Sequence, residues 1–284
     1  MQEKITLCCV TQNNIKKVKE LVPRVINYVD EAVFVDGYSV DGTKEWLESY
    51  SPKIKVVQRR WDDSFSKQYN KFVEEIRDGW MLILDDDEIP SEAMLKVLRG
   101  LVNDSIGGRN YDFIEFKCTP IEIDRDGKIL SNNGPVNYYR MLLHRYNPGM
   151  KYVIDLHQNL IGHRYSIPLR REETYYHIKS DEDSFKNACR NWWIDGVWLT
   201  GSMHGYRPPE WQELRDVVLK AYPDVAVFGD FNSLMVAGNI KEEVKDYLYR
   251  IKDIQDEQPN RMFNELRAYW RYYFEKLHPE EKRA

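Results

Sequence analysis

The stretch WMLILDDDEIP, residues 80–90, sets Asp85, Asp86, Asp87 and Glu88 directly behind a run of bulky apolar side chains. Like charges held close repel, and each is costly to take out of water. Carboxylates gathered at the end of a buried strand call for a positive partner, and a divalent cation is the natural one. If the chain stays extended past Leu84, Asp85 and Asp87 face one side and Asp86 the other. Two carboxylates so spaced can hold Mg2+ or Mn2+, hard cations that take oxygen ligands and leave positions for substrate phosphates. The competing reading is a solvated acidic turn, and the apolar run in front of the cluster weighs against it. A second polar group, VDGYSVDGT at residues 35–43, closes another apolar run. Gly37 and Gly42 permit tight turns there, and Ser39, Asp41 and Thr43 suit the cap of a following helix. Asp36, at the end of its strand, is placed to accept a hydrogen bond from a nucleobase or a ribose.

These groups need elements that bring them together. KITLCCVT (4–11), EAVFVDG (31–37), IKVVQRRW (54–61) and WMLILDDDE (80–88) read as strands. Between them lie three helical segments. The first places Ile15, Val18, Val22, Val25, Ile26 and Val29 at helical spacing, with a kink or a break expected at Pro23. The second is TKEWLESY; the third is SFSKQYNKFVEEIRDG, with Ser64 or Ser66 as its cap and Gly79 past its end. This βαβαβαβ order predicts a mostly parallel sheet with helices on its faces. Ligands of such sheets bind beyond the carboxyl ends of the strands. The polar groups TQNN, DGYSVDGT and DDDE all follow strand ends, so they are expected on one rim. After residue 91 a helix (SEAMLKVLRGLV) and further strand candidates follow, among them YDFIEFKCTPIEI, YYRMLLHRY and LHQNLIG. From about 181 the pattern is helical. The expected division is a domain over 1–180, with a nucleotide-sugar half (1–90) and an acceptor and metal half (91–180), and a helical region over 181–284.

The motifs together resemble the family 2 glycosyltransferases of the GT-A fold. That pattern runs from a strand into T-x-N, then D-x-x-S-x-D-G-T, then F-S-x-x-x-N on a helix, then W-x-L-x-L-D-x-D-E. Here it is met by Thr11 and Asn13; by Asp36, Ser39, Asp41, Gly42 and Thr43; by Phe65, Ser66 and Asn70; and by Trp80, Leu82, Leu84, Asp85, Asp87 and Glu88. The resemblance implies a GT-A type, Rossmann-like α/β fold followed by C-terminal helices. It implies a metal-dependent, inverting hexosyltransferase that moves a sugar from a nucleoside-diphosphate sugar, with UDP the foremost carrier, to a hydroxyl acceptor. In that frame Asp36 meets the base, Asp85 the ribose or the metal, and Asp87 the metal, while Thr11, Asn13, Asn70 and Asp86 complete the donor site. The family often carries an arginine before the asparagine of its third motif, where this chain has Tyr69. Lys67 or Arg60 is the candidate replacement for that charge. Further along, Arg140, His157 and His177 match a second set of family positions, and His177 is the candidate third metal ligand. Gln158 stands where the family has a glutamate, and an amide takes no proton at neutral pH. The base is therefore expected to be Asp155 or His157.

Composition narrows the partners. A net charge of −5 argues against a protein built mainly to grip nucleic-acid backbones, so a modified nucleic acid is the less favoured acceptor. The resemblance implies a saccharide or lipid-linked precursor as acceptor, and a non-catalytic nucleotide- or sugar-binding protein is the alternative from another class. No apolar run reaches the roughly 18–20 residues of a membrane span. The beginning of the sequence lacks the features of a signal peptide. The four cysteines form no CxxC spacing, which favours a reduced, cytoplasmic protein. Oligomeric state is not set by the sequence.

Overall fold

The computed structural model describes residues 2–103, 111–123, 129–131, 138–154, 158–164, 167–180, 190, 193 and 209–247. Its main sheet begins with four strands, β1 (Ile5–Thr11), β2 (Glu31–Asp36), β3 (Ile54–Gln58) and β4 (Trp80–Ile83). They lie side by side in the order β3-β2-β1-β4, all parallel. The sheet continues with β8 (Tyr138–Arg145), β6 (Phe113–Ile123), β11 (Leu169–Ser180) and β5 (Glu88–Pro90). In this half the β4–β8, β8–β6 and β11–β5 pairs are antiparallel. A short β7 (Ile129–Ser131) pairs with β6, and β9 (Lys151–Val153) with β10 (Asn159–Ile161) forms a separate antiparallel hairpin. The result is a mixed α/β sheet whose parallel half is built by the first ninety residues.

Helices cover both faces, for reasons the apolar residues make plain. Ile5, Leu7 and Cys9 of β1 pack with Val18, Leu21, Val22 and Val25 of α1 (Ile15–Val25) and with Leu95 and Leu98 of α4 (Glu92–Val102). Cys8 points the other way, into a cluster with Val33, Val35, Met81 and Ile83 and with Tyr69, Phe72 and Val73 of α3 (Phe65–Val73). Adjacent cysteines on a strand thus serve opposite layers, and burial pushes both thiols well above their usual range. Leu47 of α2 (Thr43–Tyr50) joins the first cluster.

The ends of these elements follow their local chemistry. Pro23 does not break α1 where it stands; the helix runs two residues beyond it, to Val25. Proline removes a donor near the helix end, where only a few carbonyls remain to be served. Ser64 caps α3, its Oγ accepting from Lys67 N at 3.2 Å. Gly79 enters β4 with φ +78°, and a Cβ there would stand 2.5 Å from the Lys4 carbonyl oxygen, so the strand can begin only with glycine.

Residues 1–121 and 130–178 form one compact unit; residues 122–129 and 179–284 form another. The second contains α5 (Pro209–Ala221) and α6 (Phe228–Val236) around Trp193, Val218, Val225, Phe228, Phe231, Met235 and Val244. The helical segments expected over 181–199 and 260–278 lie almost wholly outside the described residues. No described helix is long and apolar enough to cross a membrane.

Candidate functional site

The strand register brings the polar groups to one edge. Thr11 is paired with Asp36, and Asp36 with Gln58, so three strand ends are level. Past β4 the chain does not stay extended. Residues 85–88 form a reverse turn, with Glu88 N donating to the Asp85 carbonyl at 3.0 Å and Asp85 N to Glu88 Oε2 at 2.9 Å. The turn sends its four carboxylates to different partners, a cheaper arrangement than stacking like charges.

Asp86 faces β1 and α1: its oxygens accept from Thr11 Oγ1 at 2.7 Å and Asn14 Nδ2 at 2.9 Å. Asp85 faces the opposite layer, accepting from the Tyr69 hydroxyl and, at 3.1 Å, from Arg140 Nη2. Glu88 is fully buried and paired with Arg140 Nη1. Burial pushes its carboxyl up to about 7, while the Arg140 charge works in the other direction. Asp87 Oδ2 lies 3.3 Å from His177 Nε2 and 3.9 Å from Lys17 Nζ. His177 is held there by the β11–β5 ladder, in which it pairs with Glu88 while Ile178 N donates to the Asp87 carbonyl at 3.1 Å.

The loops after β1 and β2 are laced together. Asn13, at φ +54°, donates its N–H to Ser39 Oγ and accepts from Val40 N, both at 2.8 Å. Asp41 accepts from Ile15 N at 2.9 Å and caps α2 through Thr43. Asp36 has no solvent exposure; its oxygens accept from Ser39 N at 3.1 Å and Gln58 Nε2 at 3.2 Å. The structure therefore gives Asp36 a loop-shaping place under the rim. Asn70 clasps the hairpin strand β9, its amide exchanging hydrogen bonds with Tyr152 N at 2.7 Å and Tyr152 O at 2.9 Å. Lys67 Nζ is bound to Asp62 at 2.9 Å. Asp155 and His157 lie outside the described residues.

The residues suit a hard dication in part. Two neighbouring ligand atoms at about 2.1 Å from an octahedral ion stand about 3 Å apart, which the Asp87–His177 spacing meets. Asp85 is engaged by Arg140 and Tyr69, and among the described residues no three His, Cys, Asp or Glu gather as a metal site. A cation here would take two protein ligands and leave its other positions to water or substrate oxygens. Sequence reasoning matched Arg140 to a family position without giving it a site role, and it passed over Lys17. Arg140 is more than fifty residues from the cluster along the chain, and Lys17 in NNIKK reads as a solvated helix face.

The family model described as Glycosyl transferase family 2 matches residues 6–115. Glycosyltransferase SunS of Bacillus phage SPbeta and the SPbeta prophage-derived SunS of Bacillus subtilis (strain 168) are each 23% identical over 219 residues, 73% of this chain and 47% of theirs. The chain thus spans about half the length of these curated relatives. Among solved structures, the mannosyltransferase PcManGT from Pyrobaculum calidifontis in complex with GDP-Man and Mn2+ aligns with a TM-score of 0.43 at 13% identity, covering 99% of this chain and 89% of that one. S. aureus TarS 1–349 in complex with UDP-GlcNAc aligns at 0.37 and 15%, covering 99% and 93%.

Proposed function

We propose, from the match of residues 6–115 to the model described as Glycosyl transferase family 2, that the chain transfers a hexose, with inversion, from a UDP-sugar or related donor to a hydroxyl of a saccharide or lipid-linked acceptor. The observation that carries the reading is the Asp87–His177 pair beside the turn that ends β4. These two residues would hold Mn2+ or Mg2+, and the chemistry such an ion would supply is neutralisation of charge on the departing nucleoside diphosphate. Asp85, turned to Arg140, is left to the ribose. Asp36 fixes the base-side loop through Ser39. The acceptor oxygen attacks the anomeric carbon as the bond to the diphosphate breaks, and the leaving group keeps the electron pair. The acceptor proton passes to Asp155 or His157.

The test measures nucleoside diphosphate released from UDP- and GDP-sugars, with and without acceptor saccharides, in Mn2+ and in chelator. The expected result is metal-dependent release that drops at least about a hundredfold in Asp87→Ala, the scale of losing an electrostatic group at a reacting centre. Release unchanged in chelator would remove the metal from the reading. A second reading, a nucleotide-sugar binding protein without turnover, is favoured by Gln158 in the glutamate position. It predicts donor binding by calorimetry with no release.

A further inference from the structure

We propose that Lys17 is the protein cation that meets the donor's diphosphate, an inference that rests on the transferase reading above. The phosphates of a nucleotide sugar need positive charge beyond a dication with only two protein ligands. Three other basic side chains are engaged by carboxylates in the structure, and Arg140 reaches the turn from the side of Asp85 and Glu88 and not that of Asp87. Lys67 is bound to Asp62 at 2.9 Å, Arg59 reaches the same carboxylate at 2.9 Å, and Arg140 lies between Asp85 and Glu88.

Lys17 is placed differently. Its Nζ is 3.9 Å from Asp87 Oδ2, the same oxygen that His177 Nε2 approaches to 3.3 Å. Its side chain is 20% exposed, so its charge acts in a partly sheltered setting where screening is weaker. It sits on the first turn of α1, whose cap residue Asn14 donates to Asp86. The positive end of the helix and the lysine therefore reach the same turn. With a dication on Asp87, Lys17 would be repelled from that carboxylate unless an anion stood between the two cations. A diphosphate supplies that anion. In the absence of nucleotide, Lys17 and His177 offset the Asp87 charge instead.

The experiment measures binding of UDP, GDP and inorganic pyrophosphate, each with Mn2+, to wild type, Lys17→Met, Lys17→Gln and Lys17→Arg, together with kcat and KM for donor turnover. Lys17→Met and Lys17→Gln should weaken pyrophosphate and the nucleotide that binds about tenfold, the scale of one lost charge-assisted contact. They should lower kcat by a larger factor than they raise KM, because the charge develops as the diphosphate leaves. Lys17→Arg should retain most of both. Two neutral variants guard against one folding poorly, and a melting curve on each identifies the sound one. Pyrophosphate binding and kcat that match wild type in a folded neutral variant would overturn the proposal and leave the transferase reading standing. Wild type that binds neither UDP nor GDP with Mn2+ would overturn the reading itself and this inference with it.

Discussion

At the scale of single residues, the carboxylate turn is stable because the protein brings its own cations to it. Arg140 arrives from β8 and spans two carboxylates: Asp85 at 3.1 Å, and Glu88, which has no solvent exposure. A buried pair of this kind adds little net stability, but removing one partner strands the other. Arg140→Met should therefore cost about 3–5 kcal/mol in urea denaturation, read as a fall in midpoint at unchanged slope. Adding Glu88→Gln should restore a large part of it, since an amide oxygen can still accept from Asp85 N. A double variant no more stable than Arg140→Met alone would show that the arginine matters through packing instead. The same turn shows the limit of reading single residues. DDDE carries no glycine or proline to fix a reversal, and its aspartates suit a strand end or an acidic turn alike, so the sequence left both readings open.

At the scale of elements, α3 supports the site by gripping its neighbours. Its Ser64 cap fixes the first turn, Tyr69 reaches Asp85, and Asn70 binds both backbone groups of Tyr152 on β9. Asn70→Ala leaves an N–H and a C=O without these partners, a loss of about 2 kcal/mol. Hydrogen exchange should quicken at Tyr152 and its hairpin neighbours, while nucleotide binding changes little. Weaker nucleotide binding with unchanged exchange would return Asn70 to direct donor contact. The parallel strands were legible because buried strands read as unbroken apolar runs with polar ends. β11 was not, since LRREET has no apolar alternation; its outward charges pair with neighbours, as Arg170 does with Glu115 at 3.1 Å. The helix Phe228–Val236 was hidden by Gly229 and by Asn232, a polar residue on its buried side.

At the scale of the whole molecule, sequence order alone placed the polar strand ends on one edge, because a βαβ series has few ways to close. It could not place Arg140 or Lys17 there, since convergence across tens of residues leaves no local mark. The same long-range packing also sets how the fold responds to acid. His144, 2% exposed, is packed against His163 and Phe113, with its Nε2 donating to the Met141 carbonyl at 3.1 Å. Burial, with His163 beside it, pushes its imidazole down to about 3. Between that value and about 6.5 the unfolded chain binds a proton at this position that the folded chain does not, so stability falls as pH drops. The slope from this residue is about 1.4 kcal/mol per pH unit in that window. Glu88 acts in the opposite sense, because its folded carboxyl holds a proton up to about 7. The two offset one another in wild type below pH 6. His144→Phe removes only the first, leaving the half-buried His163, whose shift has the same direction, in place. The stability difference between wild type and His144→Phe should therefore move toward the variant by about 2 kcal/mol from pH 6.5 to pH 5, measured by urea denaturation at each pH. A difference that stays constant across that range would mean that His144 takes up its proton in the folded state as readily as in the unfolded chain.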